Sequence, residues 1–297
     1  MTTPPGMPLA AQQPVRRPTR RRAAWWRPDR WLLYVLAILA AFIFVFPVVW
    51  LISASLKPNV EIFRAPLQLI PSQIQIDTYQ RVLTATPVMR YFANSVLYAT
   101  CGALLTLAFS VFVAYGLSRF SFKWKKPLLT ALLVVQLVPG LVRIIPVFVM
   151  MSSLGLTNDR MGIILLYGAS GVAYGAWFLK AFVDAVPKEM DEAAWMDGAS
   201  RLRTVWQIIL PALLPGLVTM FILQFIGHWN DFAMASVLLR NPELTPLTVG
   251  TFRLIGPDES DFRLLASAAL INIVPVIIVF SFAQRYLISG AAAGAVK

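Results

Sequence analysis

Charge is scarce in this sequence. Only 13% of its 297 residues are Asp, Glu, Lys or Arg, against about 25% in an ordinary soluble domain. Cysteine and histidine are scarcer still. Cys101 stands alone, which excludes a disulfide framework within the chain. With His228 as the lone histidine, a zinc site built from those residue types lacks a ligand set. No Gly-rich phosphate loop closing on Gly-Lys-Ser/Thr occurs, so nothing of that type would hydrolyse a nucleotide here. The acids fall in polar segments, and no paired carboxylates or nucleophile–base pair are legible. A membrane-embedded enzyme would want such a constellation.

What fills the space is apolar: 58% hydrophobic residues and a mean hydropathy of +0.68. That balance predicts an all-α membrane protein, with helices expected over 31–56, 91–118, 127–152, 161–183, 211–230 and 264–284. Ser53-Ala54-Ser55 resembles a signal-peptidase site, but the apolar run before it exceeds the ~7–15 residues of a cleavable segment. Pro139-Gly140 and Pro146 are expected to break the third helix, and Pro215-Gly216 to bend the fifth early. Residues 1–30, rich in Pro and Arg without a hydrophobic period, read as a disordered cytoplasmic tail ahead of a 31–297 membrane domain. Residues 285–297 read as a short tail.

The formal charge is +12, and seven arginines lie between Arg16 and Arg30. A nucleic-acid protein could carry such a cluster. Here it abuts an apolar run, where it reads more simply as an orientation signal facing anionic lipid. Six spans put both ends on one side. With the N-terminus inside, inner segments hold 17 Lys and Arg and outer segments 8. This predicts cytoplasmic termini and a cytoplasmic 187–211 segment.

That segment, PKEMDEAAWMDGASRLRTVWQIILP, is the longest polar interruption in the second half of the chain. It predicts two short helices meeting at a turn. Pro187 suits a first helical position, and Glu189, Asp191 and Glu192 suit a first turn. Met190, Ala193, Ala194 and Asp197 share one face by helical spacing. Gly198 fits the left-handed position past a helix end, and Ser200 fits a second N-cap. Leu202, Val205, Trp206, Ile209 and Leu210 are the expected apolar stripe of the second helix.

The pattern Glu192-Ala193-Ala194, Asp197-Gly198-Ala199, Ile208 and Leu210-Pro211 resembles the EAA loop of the membrane subunits of bacterial ABC importers. Further likeness covers Gln136 to Pro146, Trp229-Asn230-Asp231-Phe232 and the ending from Gln284, and points to the maltose-type second permease of the carbohydrate branch. The resemblance implies the type I importer permease fold, with the EAA loop docking on an ATPase subunit. It also implies a second homologous permease, two ATP-binding subunits that carry ATP and Mg, and an extracytoplasmic sugar-binding protein. No cofactor or metal and no nucleic acid is expected on this chain, whose remaining partner would be bacterial inner-membrane lipid.

Polar residues inside apolar runs are functional candidates. Gln136, Arg143, Trp229, Asn230 and Asp231 are the candidates for a substrate path. Each keeps a plainer reading: Arg143 could snorkel to the outer interface, Asn230 and Asp231 could bond neighbouring helices with His228, and Asn94 could only lock the second helix. The rival functions are a membrane-embedded enzyme, and a receptor or scaffold needing no ATPase partner.

Overall fold

A computed structural model of the protein describes residues 28–66, 68–254 and 261–295. The expected tail over 1–30 lies outside these, apart from three residues that already belong to a helix. The chain divides into two units, 1–48 and 49–297. What is described of the first is the opening of α1 (Pro28–Leu56), whose side chains from Trp31 to Phe44 are exposed and almost all apolar. Water would not tolerate that surface on a stable monomer, but a bilayer is as apolar as the side chains themselves.

In the second unit, Trp50, Leu51 and Ala54 at the end of α1 pack with Ile62 of α2 (Asn59–Ile62) and with Ala266. After α3 (Asp77–Ala85) comes α4 (Val88–Arg119), the central helix of the unit. Its buried face is built from small and aromatic residues, Tyr91, Tyr98, Ala99, Ala103 and Ala114 among them. The small ones let neighbouring backbones approach closely.

Three bent pairs follow. α5 (Lys125–Leu137) and α6 (Gly140–Ser153) meet at 103°. Pro139 explains the break: it forces Val138 out of the helical region, to φ −71° and ψ 118°. Pro146, expected to break the helix again, instead lies inside α6, as membrane helices tolerate. α7 (Arg160–Ser170) and α8 (Val172–Ala185) bend by 43° at Gly171. One straight helix was expected there, but a Ser170-Gly171 pair is a recognised cause of kinks. The hydroxyl of Thr106 on α4 donates to the carbonyl oxygens of Tyr167 and Gly168 just before this bend (3.2 and 3.0 Å).

The 187–211 segment forms α9 (Lys188–Met196), α10 (Arg201–Thr204), a π-helical turn at Val205–Ile209 and α11 (Leu210–Ala212). An 80° bend at Leu213, two residues ahead of Pro215, leads into α12 (Leu214–Trp229). α13 (Ala233–Leu238), α14 (Leu247–Arg253) and α15 (Phe262–Ala295) complete the chain. The last helix runs past 284, its expected end, so residues 285–295 have helical backbone. Among the described residues three single helices are apolar and long enough to cross a membrane, and counting each of the three bent pairs as one span gives up to six crossings. The described residues are all-α, with no strand among them.

α4 packs against α7, α8 and α12. Two buried clusters fill opposite halves of this core, beside a third formed by Tyr98, Met151, Ile163, Tyr167, Leu238 and Leu239. Val111, Ala114, Leu179, Val183, Val205, Ile209, Leu213 and Met220 fill the half nearer the 187–211 segment. Tyr91, Ala99, Ala103, Phe225, Trp229 and Leu247 fill the other. At that far end Asn94 donates to the carbonyls of Glu243 and Thr245 (2.9 and 3.0 Å), and Tyr98 to that of Leu244 (3.0 Å). The backbone N–H of Leu247 donates to Ser95 (2.7 Å). Asn94 thus locks α4 to the segment before α14. Asp261 joins Arg81 at 3.2 Å and Arg263 at 3.3 Å. Burial works against its charge, but the Arg263 hydrogen bond and charge outweigh burial and hold its carboxyl below the usual range.

Candidate functional site: a coupling loop and a polar cavity

α9 ends in a Schellman turn. The Ala199 N–H donates to the Ala194 carbonyl (2.9 Å) and the Gly198 N–H to that of Trp195 (3.0 Å). Gly198 has φ +81°, the left-handed conformation its place in the sequence predicts. A Cβ there would meet nothing within 4 Å, so backbone strain, not crowding, selects glycine. Ser200 then caps α10, its side chain accepting from the Arg203 N–H at 3.3 Å. Pro187 sits one residue earlier than expected, as the N-cap of α9.

A groove of about 470 Å³ lies beside this turn, lined from α9 to the π turn by Met190, Ala193, Ala194, Asp197, Ala199, Arg203, Gln207 and Ile208. Met190, Ala193, Ala194 and Asp197 therefore share a face as their spacing requires. Ala193 is exposed, whereas Ala194 is only 8% exposed and is covered by the chain itself. Of the other loop candidates, Glu192, Gly198 and Pro211 are exposed and Leu210 half-buried, and none of the four lines the groove.

The expected stripe on the second helix is only partly realised. Val205 and Ile209 are buried, but Leu202 and Trp206 are 58% and 59% exposed. The π turn widens the local register. It aligns Val205, Ile209 and Leu213 on one face of the core.

Two contacts tie the loop to the end of α4, and neither has a local sequence signal. Arg119 and Asp191 form an ion pair with side chains 5% and 2% exposed, and Arg119 also donates to the Val186 carbonyl at 2.9 Å. The Arg201 guanidinium lies 4.7 Å from the Phe120 ring and 5.2 Å from that of Trp195. Each contact is of the cation–π kind.

The three bent pairs all contribute to a second feature. A cavity of about 340 Å³ is lined by Gln136, Arg143, Ser170, Gly171, Tyr174, Leu223 and Gln224. Each of its polar groups comes from a bent pair: Gln136 before the Pro139 break, Ser170 at the Gly171 kink, Gln224 on α12. An adjoining cavity of about 270 Å³ shares Arg143 and Ser170 and adds Tyr167, His228 and Asp231. In it, His228 stacks on Tyr167 at 4.4 Å, and the Tyr167 hydroxyl donates to Asp231 at 2.9 Å.

The path candidates divide on this geometry. Gln136, Arg143 and Asp231 face the cavities. Trp229 does not: it is 1% exposed, packs on Phe92 and Phe225, and donates its indole N–H to the Asn272 carbonyl at 3.1 Å. Asn230 is exposed, and its side chain donates back to the Ile226 carbonyl at 3.0 Å. Gln224, Ser170 and Tyr174 were not among the candidates. Gln224, a lone amide in an apolar run, carries the same signal that marked Gln136.

Comparison with known proteins follows this geometry. The chain is 33% identical over 270 residues to the arabinooligosaccharides transport system permease protein AraQ of Halalkalibacterium halodurans, covering 90% of this chain and 96% of that protein. It is 32% identical to the galactooligosaccharides transport system permease protein GanQ of Bacillus subtilis, over 89% of this chain and 94% of that one. A solved chain of a bacterial ABC transporter involved in the import of the acidic polysaccharide alginate superposes with a TM-score of 0.77 at 27% identity, covering 89% of this chain and 99% of that one. Its likeness carries the type I ABC importer permease fold, the fold that the resemblance of the 187–211 segment implies. Residues 106–291, which include α9, the Gly198 turn and the whole lining of both cavities, match the family described as binding-protein-dependent transport system inner membrane component, and the chain belongs to that family.

Proposed function

We propose that the chain is the permease subunit of an ATP-driven carbohydrate importer, working by alternating access. It forms half of the translocation path with a second, related permease. An extracytoplasmic binding protein delivers the sugar, and two ATP-binding subunits, holding ATP and Mg, drive the cycle. Both termini and the loop face the cytoplasm in this reading, which rests on the excess of Lys and Arg in those segments. The oligosaccharide permeases among its relatives support the carbohydrate assignment.

The observation that carries the coupling role is the loop itself. α9, held at a fixed angle by the Gly198 turn, borders a groove lined by small residues, Ala193, Ala194 and Ala199, with Asp197 and Arg203 at its edge. Low relief lets another protein approach closely, and fixed charges set its register. Co-expression with the two ATPase subunits and the second permease, followed by reconstitution, tests the reading. ATP-dependent uptake of a labelled oligosaccharide is expected with the binding protein present. A chain that assembles with no ATPase subunit would overturn it.

A further inference from the structure

Arg143 is the fourth residue of α6, just beyond the Pro139 break, and it lines both cavities. It is half-buried. Among the described residues it makes no hydrogen bond and no ion pair. Its planar, positively charged guanidinium carries five donors. The one carboxylate lining either cavity is Asp231, and that group is already engaged: it accepts from the Tyr167 hydroxyl at 2.9 Å and from the Met234 N–H at 3.2 Å. The 340 Å³ cavity has no acid in its lining, so its formal charge is positive.

A lone charge at membrane depth is costly, and it persists where a partner arrives to meet it. The other groups around Arg143 suit a neutral polyol. Gln136 and Gln224 present planar amides, Ser170 a hydroxyl and Tyr174 an aromatic face, and neither amide is hydrogen-bonded within the described chain. Sugar hydroxyls could satisfy all of these. None of them answers the guanidinium, whose planar fork matches a carboxylate bidentately and a hydroxyl only singly.

We propose that Arg143 is a specificity-determining residue that binds a carboxylate on the transported saccharide, so that this path admits acidic sugars in preference to their neutral counterparts. The inference rests on the carbohydrate-import reading and narrows it.

The test uses the assembled importer in nanodiscs without the binding protein, so that the delivery step does not select the ligand. The probes are digalacturonate and its carboxyl-reduced neutral form, titrated calorimetrically into discs of zwitterionic lipid. Wild type should bind the acid about tenfold or more tighter, as a charge-assisted hydrogen bond would give. The preference should shrink as salt rises. Arg143→Gln should abolish the preference by weakening the acid about tenfold more than the neutral form, and Arg143→Lys should keep part of it. Equal affinity for both probes in wild type, or no binding of the acid, overturns the proposal. So does an equal loss of both ligands in Arg143→Gln, which would make the side chain a general support. The preference must also survive in discs containing phosphatidylglycerol; its loss there assigns the guanidinium to lipid headgroups instead. If the neutral probe binds in discs and is taken up by reconstituted vesicles supplied with the binding protein, while the acid is neither bound nor taken up, carbohydrate import stands and this inference alone fails. If wild type neither binds nor transports any saccharide, the underlying reading fails with it.

Discussion

Removing Arg119 should release the 187–211 loop from the body of the protein. The guanidinium is 5% exposed and Asp191 2%, so Arg119→Met leaves a carboxylate buried without its counter-charge. The other Asp191 oxygen already has no hydrogen-bond partner, so nothing nearby takes up the charge. Breaking a buried pair from one side costs roughly 3–5 kcal/mol. The lost bond to the Val186 carbonyl (2.9 Å) adds about 1 kcal/mol. The cost falls on α9, because the pair joins that helix to α4. Together these make about 4–6 kcal/mol, so amide exchange over residues 188–196 should rise by roughly a thousand- to twenty-thousand-fold, as read by mass spectrometry of the purified complex. Asp191→Asn should do less harm, since Arg119 keeps Val186 and a neutral acceptor. The discriminating variant is the double change Arg119→Met with Asp191→Leu. Exchanging a buried pair for apolar groups of similar size is often neutral or stabilising, so the double variant should be closer to wild type in exchange than Arg119→Met. Two results would refute this reasoning: exchange over 188–196 unchanged in Arg119→Met, or a double variant as loose as the single.

Other outcomes follow from neighbouring features. Gly198→Val forces a branched side chain into φ +81°, at about 1–2 kcal/mol, and should insert normally but lose uptake and sugar-stimulated ATP hydrolysis in vesicles. Ala193→Trp, at an exposed groove position, should leave the fold intact and abolish co-purification of the ATPase subunits. Asn94→Leu strands two carbonyls, of Glu243 and Thr245, at about 1–3 kcal/mol each, and should raise proteolysis or amide exchange over 241–247. For orientation, with Cys101 replaced, a cysteine at Glu243 should react with an impermeant reagent from outside and one at Lys123 should not. The reverse pattern would invert the topology.

Features governed by a few adjacent residues were legible in the sequence. The Pro139 break, the Gly198 turn and the Ser200 cap depend on local φ and ψ, and the residue types at those positions leave few alternatives. The apolar runs located the three single helices and the three bent pairs, although the 80° bend at Leu213 starts the straight part of the fifth a few residues later. Contacts across the fold were not legible. Arg119 and Asp191 are 72 residues apart, and nothing near either names the other. Trp229 carries the residue type that suits a sugar site, yet its indole found Phe92, Phe225 and Asn272 in the core. The π turn at 205–209 is a matter of register, to which composition is blind.

The same geometry explains how a loop could reach a cavity that it does not touch. α8 carries Tyr174 in the cavity wall and runs directly into α9 through Val186-Pro187. On the other side of the loop, α11 runs into α12, which carries Leu223 and Gln224 in the same wall. From loop to wall each arm is ten or eleven residues, about 15 Å of helix. The arms meet near the loop, where Gly216 of α12 lies against Phe182 of α8: a Cβ at Gly216 would come within 2.8 Å of that ring. Such tight packing transmits displacement, because a close-packed interface shifts between discrete arrangements more readily than it compresses. A tilt of the α9–α10 pair, driven from its groove, would carry both arms and move Tyr174 and Gln224 together relative to Arg143, which sits on α6 and is connected to neither arm through an unbroken helix. Gly216→Leu should separate the two effects. By wedging the arms apart it should leave the α9 groove and ATPase docking intact, while ATP hydrolysis no longer produces uptake. If that variant transports at the wild-type rate, the arms do not act as a unit, and the link from loop to cavity must run through α4.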